Sequence, residues 1–435
     1  MPPRNPAGPT SPAQRKRVLS GMRPTGPLHI GHYFGALKKW IELQNQQDNY
    51  ECFFFVADWH ALTTDYAYTS ALPIGDRSLG IATDWLAAGL DPGKCTIFVQ
   101  SHVPEHAELH LLLSMVTPLS WLERVPTYKE QLREIRDKNL NTHAFLGYPV
   151  LQAADIVIYD SDYVPVGEDQ VPHVELAREI IRRCNFYYGF DVDRESLFAD
   201  HGFVANWLGM NPVQLASGPL TEQGANFVIG SLIARAQVIG MENFLEELGE
   251  KKKYIKPKKI LYEPQAMLTE TPRIPGTDGR KMSKSYNNFI SLGESDESIR
   301  AKTKVMMTDP ARKRRQDPGN PDVCPVFDWH KLFSPAETIA WSDQGCRTAG
   351  IGCIECKEAM ADNLIRWIEP IRARRREFES KPNEVWEILQ EGSEKARRVA
   401  GETMRRVREA IFRHEKTWAG LAAETTGMRN IRAGN

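Results

Sequence analysis

The stretch VLSGMRPTGPLHIGH, residues 18–32, joins a short apolar segment to the start of a periodic helix through a Pro/Gly-rich turn. Residues 18–20 predict a strand, and this strand ends at the turn residues 21–27. Apolar positions three to four residues apart then predict a helix from about residue 30 to residue 43. The N-terminus of a helix presents free N–H groups and the positive end of its dipole, so it attracts phosphate. The sequence therefore predicts a strand–turn–helix unit with an affinity for phosphate.

Two imidazoles, those of His29 and His32, lie at the start of this helix with Gly31 between them. Imidazoles can donate hydrogen bonds to phosphate oxygens as charge builds in a transition state. Gly31 has no side chain, so a flat purine or ribose can lie against the backbone there. The alternative is a helix whose surface carries two histidines without a ligand.

The segment KMSKS, residues 281–285, is a second candidate for phosphate chemistry. It follows the turn residues TDG at 277–279 and is predicted to be a loop. Arg280, Lys281 and Lys284 bring several cations together, which suits a site that holds a triphosphate and stabilises charge moving between phosphates. Taken alone, the segment is more typical of a solvated basic loop.

The two segments resemble the signature motifs of class I aminoacyl-tRNA synthetases, in the same order along the chain. Four further stretches resemble the tryptophanyl-tRNA synthetase family of bacterial type: SGMRPTG (20–26), VADWHALT (56–63), YPVLQAADI (148–156) and VPVGEDQ (164–170). The resemblance covers most of residues 17–190 and 260–295 together with the C-terminal helices. It implies a chain that activates tryptophan with ATP and transfers it to tRNA(Trp).

Apolar strands alternate with amphipathic helices through residues 17–190, for example at 53–57, 96–99 and 163–166. This alternation predicts a doubly wound parallel sheet, a Rossmann-like α/β fold with ligands beyond the carboxyl ends of the strands. With the resemblance, the expected organisation is a disordered tail at 1–16, a catalytic domain at 17–190 and 257–295, a helical insertion at 191–256, and an all-α anticodon-binding domain with a cysteine cluster at 296–435.

The helical parts leave two alternatives open. The insertion is either a structural elaboration or a contact with the acceptor end of the tRNA. Residues 384–411 have helical periodicity, but Gly392 and Gly401 interrupt it, so the pattern allows more than one helix.

Bulk properties restrict the partners and the compartment. Of the 435 residues, 41% are hydrophobic, which is enough for a full core, and the net charge of −1 argues against a protein that coats nucleic acid generally. RNA contacts then require local patches, such as the arginines within 312–315, 372–376 and 405–408, and such patches are more often solvated helix faces. No window offers the roughly 20 apolar residues that span a bilayer. The N-terminus lacks the apolar core of a signal peptide, so we expect a cytoplasmic protein.

Four of the seven cysteines, Cys324, Cys346, Cys353 and Cys356, follow the spacing C-x21-C-x6-C-x2-C. Four thiolates satisfy either a tetrahedral zinc ion or a [4Fe–4S] cluster, and the C-x2-C pair is common to both. A subset of bacterial tryptophanyl-tRNA synthetases carries such a cluster, with nearly this spacing, beside the anticodon site. The resemblance thus favours a [4Fe–4S] cluster that braces an anticodon-reading loop, with zinc or no metal as alternatives. We expect the other three to be inert core residues: Cys52, Cys95 and Cys184.

The resemblance also implies a two-step reaction. The tryptophan carboxylate attacks the α-phosphate of ATP, which arrives with Mg²⁺, and pyrophosphate leaves; the terminal ribose hydroxyl of the tRNA then attacks the mixed anhydride. Positioning and charge stabilisation dominate such a transfer. The expected catalytic residues are His29, His32, Lys281 and Lys284. The expected ATP-binding residues are Arg23, Gly31, His32, Gly167, Asp169, Lys281, Met282, Ser283 and Lys284. Asp169 would contact the ribose hydroxyls, although residues at such positions are also often N-caps.

In the tryptophan pocket that the resemblance implies, Asp155 accepts the indole N–H. Phenylalanine lacks this donor and would leave a buried carboxylate unpaired, so the site rejects it. The expected tryptophan-binding residues are Leu19, His60, Tyr148, Gln152, Asp155, Val166 and Gln170. Tyr148, Gln152 and Gln170 would hold the α-ammonium group. Leu19, Arg23 and Gln152 depart from the commonest bacterial pattern, which leaves their contacts open, and His60 is equally compatible with a core histidine.

Three rival functions remain at the level of sequence. A tyrosyl-tRNA synthetase shares the fold and a Leu-Gln-x-x-Asp motif like that of residues 151–155, but the motif at 166–170, the two alanines at 153–154 and the opening at 20–21 favour tryptophan. A small-molecule adenylyltransferase does not explain the long helical C-terminal part, and a catalytically inactive binding protein does not explain the histidines and lysines. Family members are homodimers, so we expect a dimer.

Overall fold

A mainly parallel sheet positions the predicted phosphate segments. The structure, a computed structural model, describes residues 15–66, 72–126, 128–129, 140–211, 221–269 and 274–412. Within them the strands are β1 (Lys16–Met22), β2 (Tyr50–Val56), β3 (Thr96–Val99), β4 (Tyr163–Val166), β5 (Phe190–Val192), β6 (Ile255–Pro257) and β7 (Gln265–Leu268). Five of them form one sheet in the order β3-β2-β1-β4-β7, in which β1 pairs in parallel with β2 and β4, and β2 with β3. The predicted doubly wound α/β class is confirmed.

The described residues divide into two compact units. The first comprises those within Met1–Val103, Tyr163–Val171 and Ala266–Ala396, and the second those within Pro104–Asp162, Pro172–Gln265 and Arg397–Asn435. The boundaries expected at 190, 257 and 295 separate domains by their functions. These boundaries stay a prediction. Of the predicted tail, residues 1–14 lie outside the described residues, as do 413–435 of the predicted anticodon-binding domain.

The helices follow the strands in both units. Those of the first unit are Ile30–His32, the π-helical Tyr33–Leu37, Lys38–Gln44, Asp58–Asp65, Ile74–Ala88, Asp296–Lys304, Pro325–Phe333, Ala336–Arg347, Cys353–Glu379 and the start of Pro382–Phe412. Those of the second unit are Glu105–Ser114, Leu119–Leu122, His143–Val157, Val171–Tyr188 from its second residue, Arg194–Ala199, His201–Leu208, Glu222–Ile239, Met241–Leu248 and the end of Pro382–Phe412. No helix of the described residues is both long and apolar enough to cross a membrane.

The core of the first unit forms between the sheet and the helices on it. β2 is buried from Cys52 onward, as expected for a strand that is paired on both sides and covered on both faces. Phe54 of β2 stacks on Trp40 with ring centroids 4.7 Å apart, and Trp85 packs edge-on against Trp40. Burial of these large rings fixes the helices that begin at Ile30 and Ile74 against the sheet.

The predicted insertion has a core of its own in the second unit. Its two ends pair as antiparallel strands, β5 with β6, so the chain leaves and returns at one place. Of the part between them that the structure describes, four helices and a 3-10 turn pack on buried Phe190, Val204, Leu232 and Phe244. The helical character of 191–256 is therefore observed over its described part; residues 212–220 lie outside it.

The last helix of the described residues passes through both of its glycines. Pro382–Phe412 is continuous, so the two-helix alternative for residues 384–411 does not hold. Gly392 lies against β3: a Cβ built at this residue would lie 1.8 Å from the carbonyl oxygen of Ile97. Next to it, the backbone N–H of Val99 donates to Ser393 Oγ at 3.4 Å. Gly392 thus permits a close approach between helix and strand, whereas a Cβ at Gly401 would meet nothing within 4 Å.

We expect Gly392→Ala to destabilise the protein by roughly 1–3 kcal/mol or more, because the added methyl group collides with backbone that cannot rotate away. Gly401→Ala is the matched control on the same helix. It should be neutral or stabilising by about 1 kcal/mol, because alanine favours the helix without a clash. Urea unfolding of both variants checks this, and equal midpoints for the two would contradict the packing described here.

Candidate active site

The two predicted phosphate segments lie side by side in the first unit. His29 forms an isolated antiparallel bridge with Ser291, ten residues after Lys281. The N–H of Ile30 donates to the carbonyl of Ile290 at 3.1 Å, and that of Leu292 to the carbonyl of Leu28 at 2.8 Å. These bonds place the histidine segment next to the chain that leaves the lysine loop.

The two imidazoles face each other at the start of the helix. Their ring centroids are 3.7 Å apart, and the N–H of His29 donates to Nδ1 of His32 at 3.1 Å. Burial and the nearby Lys284 lower the pKa of His29 to about 4; burial, His29 and Lys284 lower that of His32 to about 2. Both rings are therefore neutral at physiological pH, so they can donate hydrogen bonds to phosphate without carrying a charge of their own.

Gly31 has a packing role besides the expected one. A Cβ at this residue would lie 2.9 Å from Cε1 of His29 and 3.5 Å from Sδ of Met282. Glycine is thus needed to let the ring of His29 fold over the backbone. Met282 is buried at this place, so a residue of the lysine segment packs close to the histidine segment.

Asn288 organises the lysine loop, although the sequence analysis did not single it out. Its buried side chain accepts from the N–H of Ser283 at 2.7 Å and donates to Asp278 Oδ1 at 2.7 Å and to the carbonyl of Lys281 at 3.1 Å. One amide therefore holds both ends of the loop. Lys281 is exposed, while the guanidinium of Arg280 pairs with Asp278 and lies over the ring of Tyr286.

Lys284 points to the turn that precedes the histidines. Its Nζ donates to the carbonyl of Gly26 at 2.9 Å. Burial lowers the pKa of Lys284 to about 8, and the charge of Asp84 opposes that change. The amine therefore stays mostly protonated near neutral pH and supplies a positive charge beside the two neutral rings.

Asp84 is a second residue that the sequence analysis missed. It is 1% exposed, and its Oδ2 accepts from the N–H of Leu28, the residue before His29, at 2.8 Å. Its Oδ1 accepts from Nε of Arg375 at 2.6 Å. Burial raises the pKa of Asp84, and Arg375, the Leu28 N–H and Lys284 oppose that rise. The carboxylate thus joins the helix Cys353–Glu379 to the backbone of the histidine segment.

The arginines of 372–376 are largely engaged inside the protein. Arg372 donates to the carbonyl of Glu294 at 2.8 Å, and Arg374 to the carbonyl of Ala87 at 2.6 Å. With Arg375 on Asp84, three cations of this candidate RNA patch bind groups of the same chain.

The turn after β4 carries the predicted ribose contact. β4 lies beside β1 in the sheet, so this turn follows a neighbouring strand at the same sheet edge as residues 21–27. Gly167 begins the 3-10 turn Glu168–Gln170, and Asp169 is exposed. The Gln170 amide donates to Asp169 Oδ2 at 2.9 Å. The carboxylate of Asp169 is thus exposed at the end of β4 and accepts one bond from its neighbour.

The predicted tryptophan-binding residues are divided between the units. In the second unit, Tyr148, Gln152 and Asp155 lie on one helix, His143–Val157, and the hydroxyl of Tyr148 is 3.1 Å from Nε2 of His173. The residues in the first unit are Leu19, buried in β1; Arg23, exposed; His60, 9% exposed in the helix Asp58–Asp65; Val166 at the end of β4; and Gln170.

The four spaced cysteines lie in the first unit, and none forms a disulfide. Cys324 precedes Pro325–Phe333, Cys346 lies on Ala336–Arg347, and Cys353 and Cys356 open Cys353–Glu379. The pKa of Cys356 is raised to about 11, mainly by burial and further by the other three thiols, so the four groups are neighbours. Among the described residues, no three His, Cys, Asp or Glu side chains are arranged to hold a single metal ion.

The other three cysteines are buried, as predicted. Burial is the main cause that raises the pKa of Cys52, Cys95 and Cys184 to about 12 each. Such thiols are protonated and unreactive at neutral pH.

Comparison with known proteins agrees with this site. The profile of the family described as "tRNA synthetases class I (W and Y)" matches residues 11–198 and 241–369. The tryptophan–tRNA ligase of Ralstonia nicotianae is 49% identical over 405 residues, which cover 91% of this chain and 98% of that protein. The ligase of Thermotoga maritima is 44% identical over 396 residues, with the same coverage. A crystal structure of tryptophanyl-tRNA synthetase from Campylobacter jejuni, complexed with ADP and tryptophan, superposes with a TM-score of 0.67 at 29% identity, covering 91% of this chain and 99% of that one.

The turn after the first strand of a parallel sheet and a downstream lysine loop meet here at one pair of histidines. This arrangement defines a class I aminoacyl-tRNA synthetase. The chain belongs to the tryptophan and tyrosine branch of that class. The resemblance to bacterial tryptophanyl-tRNA synthetases noted in the sequence is confirmed at this level.

Proposed function

We propose that this chain is a tryptophan–tRNA ligase, which converts L-tryptophan and ATP to tryptophanyl-adenylate and pyrophosphate and then transfers tryptophan to tRNA(Trp). The observation that carries the proposal is the meeting of the histidine segment with the lysine loop, through the bridge of His29 to Ser291 and the bond of Lys284 to Gly26. The 49% identity to a tryptophan–tRNA ligase supports the choice of amino acid.

In the first step, a tryptophan carboxylate oxygen forms a bond to the α-phosphorus, and the bond between that phosphorus and the oxygen bridging to the β-phosphate breaks. We assign the neutral imidazoles of His29 and His32 as hydrogen-bond donors to the triphosphate. Lys281 and Lys284 would neutralise the charge that builds on the departing pyrophosphate. Mg²⁺ would accompany ATP and offset the charge of its phosphates.

The remaining ATP contacts are proposals that extend this site. The backbone at Gly31 and Gly167 and the side chains of Arg23 and Asp169 would hold the nucleoside and the α-phosphate, with Asp169 on the ribose hydroxyls. Met282 and Ser283 would complete the lysine side. In the second step, the terminal ribose hydroxyl of the tRNA attacks the carbonyl carbon of the adenylate, and AMP leaves.

For amino-acid selection, we propose that Asp155 accepts the indole N–H and that Tyr148, Gln152 and Gln170 hold the α-ammonium group. Leu19, His60 and Val166 would line the remaining wall.

Alanine variants of the lysine loop test the proposed chemistry. Lys281→Ala and Lys284→Ala should each lower kcat for tryptophanyl-adenylate formation roughly 10²- to 10³-fold, because each removes a donor to charge that develops in the transition state. Arg280→Ala is the matched control, since Arg280 is paired with Asp278 and Tyr286. All three variants should keep their affinity for tRNA. Unchanged adenylation in both lysine variants would favour a binding protein over an enzyme.

We further propose that Cys324, Cys346, Cys353 and Cys356 hold a [4Fe–4S] cluster. The donor set fits, because four free thiols from three helical elements are neighbours in one unit. Arg312, whose Nη1 is 3.9 Å from Cys346 Sγ, would offset part of the negative charge. A cluster there would cross-link the helices that the cysteines begin or cap; the sequence gives no support for a redox role.

Metal analysis of protein purified without oxygen distinguishes the alternatives. We expect about four iron and four sulfide per chain. Cys353→Ser should lower the iron content and the temperature of unfolding, whereas Cys184→Ser, a change at a cysteine outside the set, should keep the iron. One zinc per chain, or no metal in freshly purified protein, would contradict the proposal.

The expected partners are tRNA(Trp) and a second copy of the chain. We propose that the helical residues 296–435 read the anticodon and that the protein acts in the cytoplasm, where its tRNA is charged. Leu111 lies on the helix Glu105–Ser114 and Met115 caps its end; they are 56% and 69% exposed and support an apolar interface in a homodimer. A monomer in sedimentation velocity at micromolar concentration would contradict the dimer.

A further inference from the structure

A chain of three fully buried polar side chains lies in the second unit. His106 is the second residue of the helix Glu105–Ser114, which packs on the helix His143–Val157. Nδ1 of His106 is 2.6 Å from Oδ1 of Asp155, and Nε2 is 2.6 Å from the hydroxyl of Tyr159. All three residues are at most 1% exposed.

The chemistry of the groups gives the hydrogen bonds a direction. The carboxylate of Asp155 only accepts, so Nδ1 of His106 must carry the proton that lies between them. Nε2 can then accept from Tyr159, whose phenol stays protonated because burial raises its pKa well above the ordinary value. The chain of donation runs from Tyr159 through His106 to one oxygen of Asp155, and each bond in a buried chain of this kind strengthens the next.

We propose that His106, held by Tyr159, is a positioning residue for amino-acid selection: it fixes the orientation of the Asp155 carboxylate so that this group accepts the indole N–H of tryptophan. The inference rests on the proposed role of Asp155 and deepens it. The bond from Nδ1 of His106 to Oδ1 limits the rotation of the carboxylate. An amino acid with an N–H in the indole position then meets an acceptor that is already oriented, which is how a buried acceptor discriminates.

A substrate without the N–H separates this role from a structural one. The probe is L-3-(3-benzothienyl)alanine, in which sulfur replaces the indole N–H with little change of shape. We compare kcat/KM for ATP–pyrophosphate exchange with tryptophan and with this analogue. In His106→Gln, the value for tryptophan should fall roughly 10- to 100-fold, the range expected for a hydrogen bond to a charged group. The value for the analogue should change by less than about threefold, because the analogue does not use the acceptor.

Tyr159→Phe is the milder variant and guards against a fold defect in His106→Gln. It removes one hydroxyl. It should lower the ratio of kcat/KM for tryptophan to kcat/KM for the analogue, by a smaller factor than His106→Gln does. His143→Gln, the same change at an exposed histidine on the helix of Asp155, should leave the preference unchanged. A parallel fall with both substrates, or an unchanged preference in both His106→Gln and Tyr159→Phe, would overturn the positioning role.

Asp155→Asn separates a failure of this inference from a failure of the proposed function. If Asp155→Asn abolishes the preference while His106→Gln keeps it, Asp155 selects tryptophan without the help of His106. If Asp155→Asn leaves the preference intact, the role proposed for Asp155 is itself wrong, and the inference falls with it.

Discussion

The active site depends on a short backbone pairing between chain segments that are distant in sequence. Residues 28–30 pair with residues 290–292 through two hydrogen bonds of 2.8 and 3.1 Å, while Lys284 bonds to Gly26, 258 residues away. Backbone pairing leaves little freedom of position, so the two neutral imidazoles and the half-buried amine share one place at the edge of the sheet. Positioning of this kind is the main contribution of a protein to phosphoryl transfer.

The same pairing connects the site to the long C-terminal helices. Asp84 binds the backbone N–H of Leu28 with one oxygen and Arg375 with the other. Arg375 lies near the end of Cys353–Glu379, the helix that begins with two of the four spaced cysteines. This helix of 27 residues thus connects the proposed cluster, at its start, through Arg375 and Asp84 to the backbone N–H of Leu28. Removal of the proposed cluster would affect this helix first.

Local structure and the motifs were largely predictable from the sequence. The strands expected at 96–99 and 163–166 match β3 and β4 in both bounds, and the helix expected over 30–43 ends at Gln44. These predictions depend on apolar periodicity and on turn residues, which are local signals. The histidine and lysine segments were recognisable because their residue types and spacing are unusual together.

The residues that connect those segments were not predictable in the same way. Asp84 lies in an amphipathic helix and Asn288 in a polar loop, where a charged or amide residue is ordinary; only the fold buries them and gives them partners. His106 likewise has no sequence signal of its own, since its partners Asp155 and Tyr159 are about fifty residues away. Gly392 suggested a break in a helix, whereas the structure uses it for a close approach to β3.

The most direct test of the account is amino-acid-dependent exchange of pyrophosphate into ATP, measured with tryptophan, tyrosine and phenylalanine on protein purified without oxygen. The account predicts exchange that depends on tryptophan, with tyrosine and phenylalanine near the background. Exchange with tyrosine would keep the fold and the phosphate site but contradict the selection by Asp155, and no exchange with any of the three would contradict the proposed reaction.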